Sequence, residues 1–290
     1  MGWAAALRLG RVSNLPTIWT NGLTGLALGG GALLDMRSLP LLVALSLFYV
    51  GGMYLNDAFD AEIDQKERPD RPIPSGLIDL KTVFHAGIAM LVVGLSILLW
   101  IGFVATDGTG GWPGLAGLVL VISIVIYDWH HKGNAFSPYL MGVCRMMVYV
   151  TAGLCFLVPP PASLLLVAVL LLSYLIGLTY IAKQENHREV DGLWPLLLFL
   201  PPVVYGGFHL GGNITTLLAL LLLIGVIIFA IFALRRRLPG DIGVAVSALI
   251  AGVCVLDAVF LASAGEVVLA WWAIAGFILT LILQRFIPGT

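Results

Sequence analysis

The sequence predicts an all-α protein, a polytopic transmembrane helical bundle of nine to ten spans. Three observations predict it. Of 290 residues, 60% are hydrophobic and 11% are charged, against about 45–50% and about 25% in a soluble domain. The excess recurs along the whole chain in blocks of about 20 apolar residues, the length a helix needs to cross the hydrocarbon core. The blocks lack the apolar–polar alternation that marks a barrel strand.

Candidate spans fall at residues 14–34, 39–55, 82–104, 112–127, 136–158, 163–181, 192–209, 213–234, 242–264 and 267–285. The opening "MGWAAALRLGRVSNLPTIW" is interrupted by charge, so no leader is expected to be cleaved and the first span stays attached. The breaks between blocks are of two alternating kinds. One kind is short and almost uncharged, as in "TDGTGG" and "VPPPAS". The other carries charge, at the N-terminus, 56–81, 128–135, 183–191, 235–241 and Arg285. Of 15 Lys and Arg, Arg37 lies in an uncharged break and Arg145 inside a span; the other 13 lie in the charged breaks. The positive-inside rule then sets the charged loops and both termini in the cytoplasm. That parity requires an even number of spans, hence ten.

Residues 1–290 read as one bundle without an internal linker. A net charge of −1 gives no electrostatic basis for a nucleic-acid partner. Cys144, Cys155 and Cys254 sit in apolar surroundings without CxxC spacing and read as small buried hydrophobes.

One stretch departs from this apolar background: "YLNDAFDAEIDQKERPDRPIPSG", Tyr54–Gly76. Asp57, Asp60 and Asp64 stand at i, i+3 and i+7, on one helical face, with Asn56 beside the stripe. The stripe begins where an apolar span ends, at the membrane surface. Carboxylates crowded on one face repel unless a cation offsets them. Mg²⁺ takes oxygen ligands, commonly one or two carboxylates plus substrate phosphates. Arg68 and Arg71 follow as fork-shaped donors suited to phosphate oxygens. "RPIPSG" is a stiff turn, with two prolines fixing φ and Gly76 permitting the exit. A solvated helix end is the plainer reading of such a cluster; the arginine-bearing turn argues against it.

On these residues the chain resembles the UbiA superfamily of membrane prenyltransferases, whose first signature is NDxxDxxxD followed by an RPxxxG-like run. The resemblance extends to "RVSNLPTIWTNGLTG" and the alternating long loops, and so over the whole chain. It implies nine transmembrane helices, one fewer than the blocks counted above; either a C-terminal block is misassigned or this chain has an extra span. It implies catalytic loops on the cytoplasmic side and an isoprenyl diphosphate bound through Mg²⁺ held by two acidic motifs. Ionisation then gives an allylic cation that alkylates an acceptor, aromatic or hydroxyl-bearing. Asn56, Asp57, Asp60 and Asp64 become metal ligands, the three aspartates being catalytic.

"YDWHHKGNAFSP", Tyr127–Pro138, loosely matches the family's YxxxK(R) element, in which a Tyr and a cation face the diphosphate. Tyr127 fits. His131 or Lys132 fills the basic position, and Lys132 is favoured because it is a permanent cation at neutral pH. An interfacial Tyr with a snorkelling Lys is the plainer alternative. "AKQENHREVDG", Ala182–Gly192, stands where the second acidic motif belongs but departs from it. Glu185 and Glu189 share a face four residues apart; in the other register only Asp191 is an acid. Glu185 and Glu189 are favoured for the second Mg²⁺, with Asp191 as the alternative ligand and Lys183 as a further substrate-binding cation. With "SPYLMGVCR", these loops resemble a divergent, EboC-like branch of the family.

Arg145, two turns into its span, is expected to face the interior and support a carboxylate or the diphosphate. Asn14 and Asn21, seven apart, share a face of the first span, where Asn21 is taken as a substrate contact and helix–helix bonding is the alternative. Asp257 is a lone acid in its span with no assigned role. Two rival functions use the same scaffold: a membrane-embedded class I terpene cyclase, sharing the ionisation step, and a transporter, disfavoured because the charges gather at one face.

Overall fold

The computed structural model describes residues 3–183, 194–236, 238, 240–287 and 289. Its elements are α1 (Trp3–Leu9), a 3₁₀ turn (Val12–Asn14), α2 (Leu15–Leu28), α3 (Ser38–Phe59), α4 (Ala61–Glu67), α5 (Leu80–Phe103), α6 (Trp112–His130), α7 (Ser137–Leu154), α8 (Ala162–Lys183), a second 3₁₀ segment (Trp194–Phe199) running into α9 (Leu200–Phe208), α10 (Ile214–Arg236), α11 (Asp241–Ser263) and α12 (Val267–Gln284). Each predicted block contains a helix among the described residues. Among the described residues, seven helices are long and apolar enough to cross a membrane: α3, α5, α6, α8, α10, α11 and α12. Their outward faces carry exposed Val92, Ile122, Leu166, Leu221, Phe229 and Ile282. Apolar side chains exposed on so many long helices suit lipid, not water. The chain is a multi-pass integral membrane protein.

Two sets of contacts fix the faces. On one face, Asn14 donates to the Gly289 carbonyl at 3.0 Å and accepts from Gln284 at 3.1 Å, so α2 begins where α12 ends. On the other, Arg37 donates to the carbonyls of Asp107 (2.7 Å) and Cys155 (3.0 Å), tying three loops together. Asn213 donates to Ala262 there as well. A shorter apolar segment, Trp194–Phe208, lies alongside α8, where Ser173 donates to the Leu198 carbonyl at 2.7 Å. Both C-terminal blocks are helices, α11 and α12.

Small residues set the packing towards the face opposite the charged one. A Cβ on Gly25 would lie 2.5 Å from the Tyr149 carbonyl oxygen, and one on Gly29 would lie 2.7 Å from Gly153 Cα. α2 and α7 therefore approach at backbone distance, the arrangement that drives helix association where no hydrophobic force operates. α11 is the most buried of these seven helices. Cys144, Cys155 and Cys254 are buried and unbridged.

Candidate active site

α3 delivers the acidic stripe. It ends at Phe59, yet Asp60 N–H donates to Asn56 O (3.0 Å) and Asp64 N–H donates to Asp60 O (2.8 Å). The helical spacing therefore continues across the α3–α4 junction, and Asp57, Asp60 and Asp64 keep one face. All three are buried. Next comes the stiff turn. Arg71 N–H donates to Arg68 O, Ser75 N–H to Arg71 O, and Gly76 takes φ +75°, which a side chain would resist.

That turn folds Arg71 back onto the carboxylates. Its guanidinium donates to Asp64 Oδ2 at 2.6 Å and to Asp57 Oδ1 at 3.3 Å. From the α6–α7 loop, Lys132 Nζ lies 3.3 Å from Asp60 Oδ2 and 3.6 Å from Asp64 Oδ1. His131 Nε2 lies 3.5 Å from Asp60 Oδ2, its ring stacked on Tyr127 with centroids 5.1 Å apart. Both candidates for the basic position thus reach the same acid. Burial raises Asp60 towards neutrality, but His131 and Lys132 outweigh it and hold the carboxyl below its ordinary range.

Two residues of the site escape sequence reasoning. Arg11 lies 3.5 Å from Asp57 Oδ1 and holds a left-handed backbone, φ 40°, unusual for a residue with a side chain. Tyr49 OH pins its carbonyl at 3.2 Å. Its signal would have been a basic residue just before the first span. The other is Asp128, beside Tyr127. It is 3% exposed, its Oδ1 accepts from Asn56 Nδ2 at 3.3 Å, and its buried Oδ2 has no partner.

These groups surround the mouth of a cavity of about 740 Å³, a size typical of ligand sites. Asn56, Asp60, Asp64, Arg71, Tyr127 and Lys132 line its charged end; Ile18, Phe48, Leu120, Val148, Leu175 and Val253 line the rest. Arg68 is at the exposed rim. Lys183 lines the cavity, but its ammonium is committed to Asn134 O (2.6 Å) and Ser137 Oγ (3.0 Å), tying α8 to the α6–α7 loop. Arg145 forms part of the wall and meets none of the stripe's carboxylates: it donates to Asn21 Oδ1 (3.0 Å) and Thr17 Oγ1 (3.1 Å). Asn21 is fully buried and absent from the lining. Its Nδ2 donates to Asp257 at 2.8 Å, and Tyr149 OH donates to the same carboxylate. Helix–helix bonding, the alternative for Asn21, is what its contacts are. Asp257 balances Arg145 through Asn21. Glu185, Glu189 and Asp191 lie outside the described residues.

The donor chemistry suits a hard divalent cation: Asn56, Asp57, Asp60, Asp64 and Asp128 offer only oxygen, one of it unpartnered. Among the described residues no three acids converge on a single point; Arg71 and Lys132 stand between them.

The chain is similar to known proteins. Residues 15–193 match the model of the UbiA prenyltransferase family. A digeranylgeranylglyceryl phosphate synthase of Methanopyrus kandleri is 31% identical over 181 residues, 61% of this chain and 60% of that enzyme. The enzyme of that name from Thermococcus kodakarensis is 29% identical over 53% of this chain and 54% of its own. The chain's matches thus span about half to three-fifths of these curated relatives. Among solved structures, a UbiA homologue from Archaeoglobus fulgidus bound to GPP and Mg²⁺ superposes with TM-score 0.63 at 14% identity, covering 94% of this chain and 99% of that one. An apo UbiA homologue from Aeropyrum pernix gives 0.62 at 12% identity, covering 87% and 97%. At such identities the superpositions speak for the fold, and the matched model covers well over half the chain: this protein belongs to the UbiA prenyltransferase family.

Proposed function

We propose that the protein is a Mg²⁺-dependent integral-membrane prenyltransferase that ionises an isoprenyl diphosphate and transfers the prenyl group to an acceptor. One observation carries the reading: paired carboxylates and permanent cations meet at the mouth of a cavity whose remaining wall is mostly apolar. The Mg²⁺-bound and GPP-bound family member supports the choice of ion and substrate class.

Asn56, Asp57, Asp60 and Asp64 would hold Mg²⁺, with Glu185 and Glu189, or Asp191, as the other half. Bound there, the ion neutralises diphosphate charge as a Lewis acid. Arg71, Arg11 and Lys132 turn from the carboxylates to the diphosphate oxygens, stabilising the charge that develops as the C–O bond breaks. The bonding pair leaves with diphosphate. Tyr127 and the apolar wall shield the allylic cation from water. The acceptor's nucleophilic atom then bonds the allylic carbon and loses its proton. The prenyl tail lies along the apolar wall. The charged face is taken as cytoplasmic, where 13 of 15 Lys and Arg gather.

For the acceptor, the relatives' name points to a hydroxyl: removing one geranylgeranyl group from their product leaves geranylgeranylglyceryl phosphate. The EboC-like branch placement rests on the loop sequences alone. The test is mass spectrometry of products from geranyl, farnesyl and geranylgeranyl diphosphate, with and without geranylgeranylglyceryl phosphate. An acceptor-dependent prenylated product supports transfer. A cyclic hydrocarbon formed without acceptor supports the cyclase reading instead.

A further inference from the structure

We propose that Asp128 is a fifth oxygen-donor residue of the cation site, its Oδ2 a direct ligand of the divalent ion and its Oδ1 the anchor that aims Asn56. This rests on the Mg²⁺ reading above.

Three observations lead there. Asp128 is 3% exposed and lines the cavity, in a protein where burying a charge without a partner is costly. Each acid of the stripe has a cationic partner, whereas no Lys, Arg or His among the described residues pairs with Asp128. Its single side-chain bond is from Asn56 Nδ2 at 3.3 Å, and Oδ2 has none. A carboxyl group held in a cavity wall with one oxygen unpaired is a group that a cation arriving with the ligand can engage.

The bond to Asn56 adds a second role. An amide can present either nitrogen or oxygen to a metal, and only oxygen ligates. By accepting from Nδ2, Asp128 leaves Oδ1 as the free end of Asn56, which lines the same cavity. Outer partners of this sort typically contribute about 10–100-fold to metal affinity. Asp128 also stands on α6, opposite the α3 stripe, so the cation would join two helices at the cavity mouth.

The experiment is Mn²⁺ binding to the purified full chain, followed by electron paramagnetic resonance and water-proton relaxation. The variants are Asp128→Asn and, as control, Asp57→Ala/Asp60→Ala. The control should abolish binding. Asp128→Asn should weaken Mn²⁺ at least about tenfold, with the bound ion gaining a water ligand, seen as higher relaxivity. Thermal stability without metal should not fall, because an amide of the same shape replaces a carboxyl whose Oδ2 has no partner and can still accept from Asn56. A purely structural Asp128 gives the reverse: lower stability, with affinity unchanged. Affinity within about twofold of wild type while the control loses binding overturns the role of Asp128 and leaves the Mg²⁺ reading standing. Binding retained by the control sinks both. If Asp128→Asn does not fold, Asp128→Ser carries the same expectations.

Discussion

Arg71 reaches back seven residues to donate to Asp64 at 2.6 Å, and the same guanidinium nitrogen lies 3.3 Å from Asp57. The acidic stripe and the arginine-bearing turn are therefore one unit before any substrate arrives. The arginine screens the carboxylates from one another and stands where a diphosphate would meet them.

Replacing that guanidinium should therefore cost transition-state stabilisation more than folding. Arg71→Ala is expected to lower kcat/KM for diphosphate release by about 10²-fold or more. Arg71→Lys, which keeps the charge and loses the fork, should fall about tenfold. Steady-state diphosphate release across substrate concentrations checks both.

Asp257 balances Arg145 across Asn21, deep in the bundle. Asp257→Ala strands that cation and the Tyr149 hydroxyl, and should destabilise the protein by about 3 kcal/mol, lowering Tm by several degrees. Asp257→Asn, which can still accept from Tyr149, should lose less. Thermal unfolding in detergent gives the comparison.

The α2–α7 contact leaves no room at Gly25. Gly25→Val should cost about 1–3 kcal/mol or more through overpacking. It should reduce the yield of monodisperse protein on size exclusion. A substitution at Gly225, where an added Cβ meets open space, should not.

Asp60 is held below its ordinary range in the folded protein. A depressed folded value stabilises fully above the unfolded value, about 3.9, and that stability is lost as pH falls through the folded value. Wild type should keep this contribution through mildly acidic pH. Lys132→Met removes one of the two groups that lower it, so acid destabilisation should begin at higher pH. Unfolding followed against pH in both proteins tests this.

Much of the site was legible because helix geometry is regular. Asn56, Asp57, Asp60 and Asp64 read correctly as neighbours because the backbone bonds run through Asp60 into α4. Lys132 and His131 followed from loop position. Arg11 was not legible: its approach to Asp57, 46 positions away, depends on its own left-handed backbone. Asp128 was hidden beside Tyr127, since sequence does not reveal that one carboxylate oxygen is left without a partner. Asn21 shows the opposite limit. Its spacing from Asn14 gave the correct face, but periodicity does not say whether that face meets a cavity or Asp257. The segment Trp194–Phe208 was legible as hydropathy, although its start is 3₁₀ and its α-helical part has nine residues.

The central claim is that the α3–α4 carboxylates activate an isoprenyl diphosphate through Mg²⁺. Diphosphate release from geranylgeranyl diphosphate plus acceptor, by wild type and Asp57→Ala/Asp60→Ala in matched nanodiscs with and without Mg²⁺, tests it most directly. Release that requires Mg²⁺ and vanishes in the folded variant is the predicted result. Release that persists in the variant, or proceeds equally without divalent cation, contradicts it.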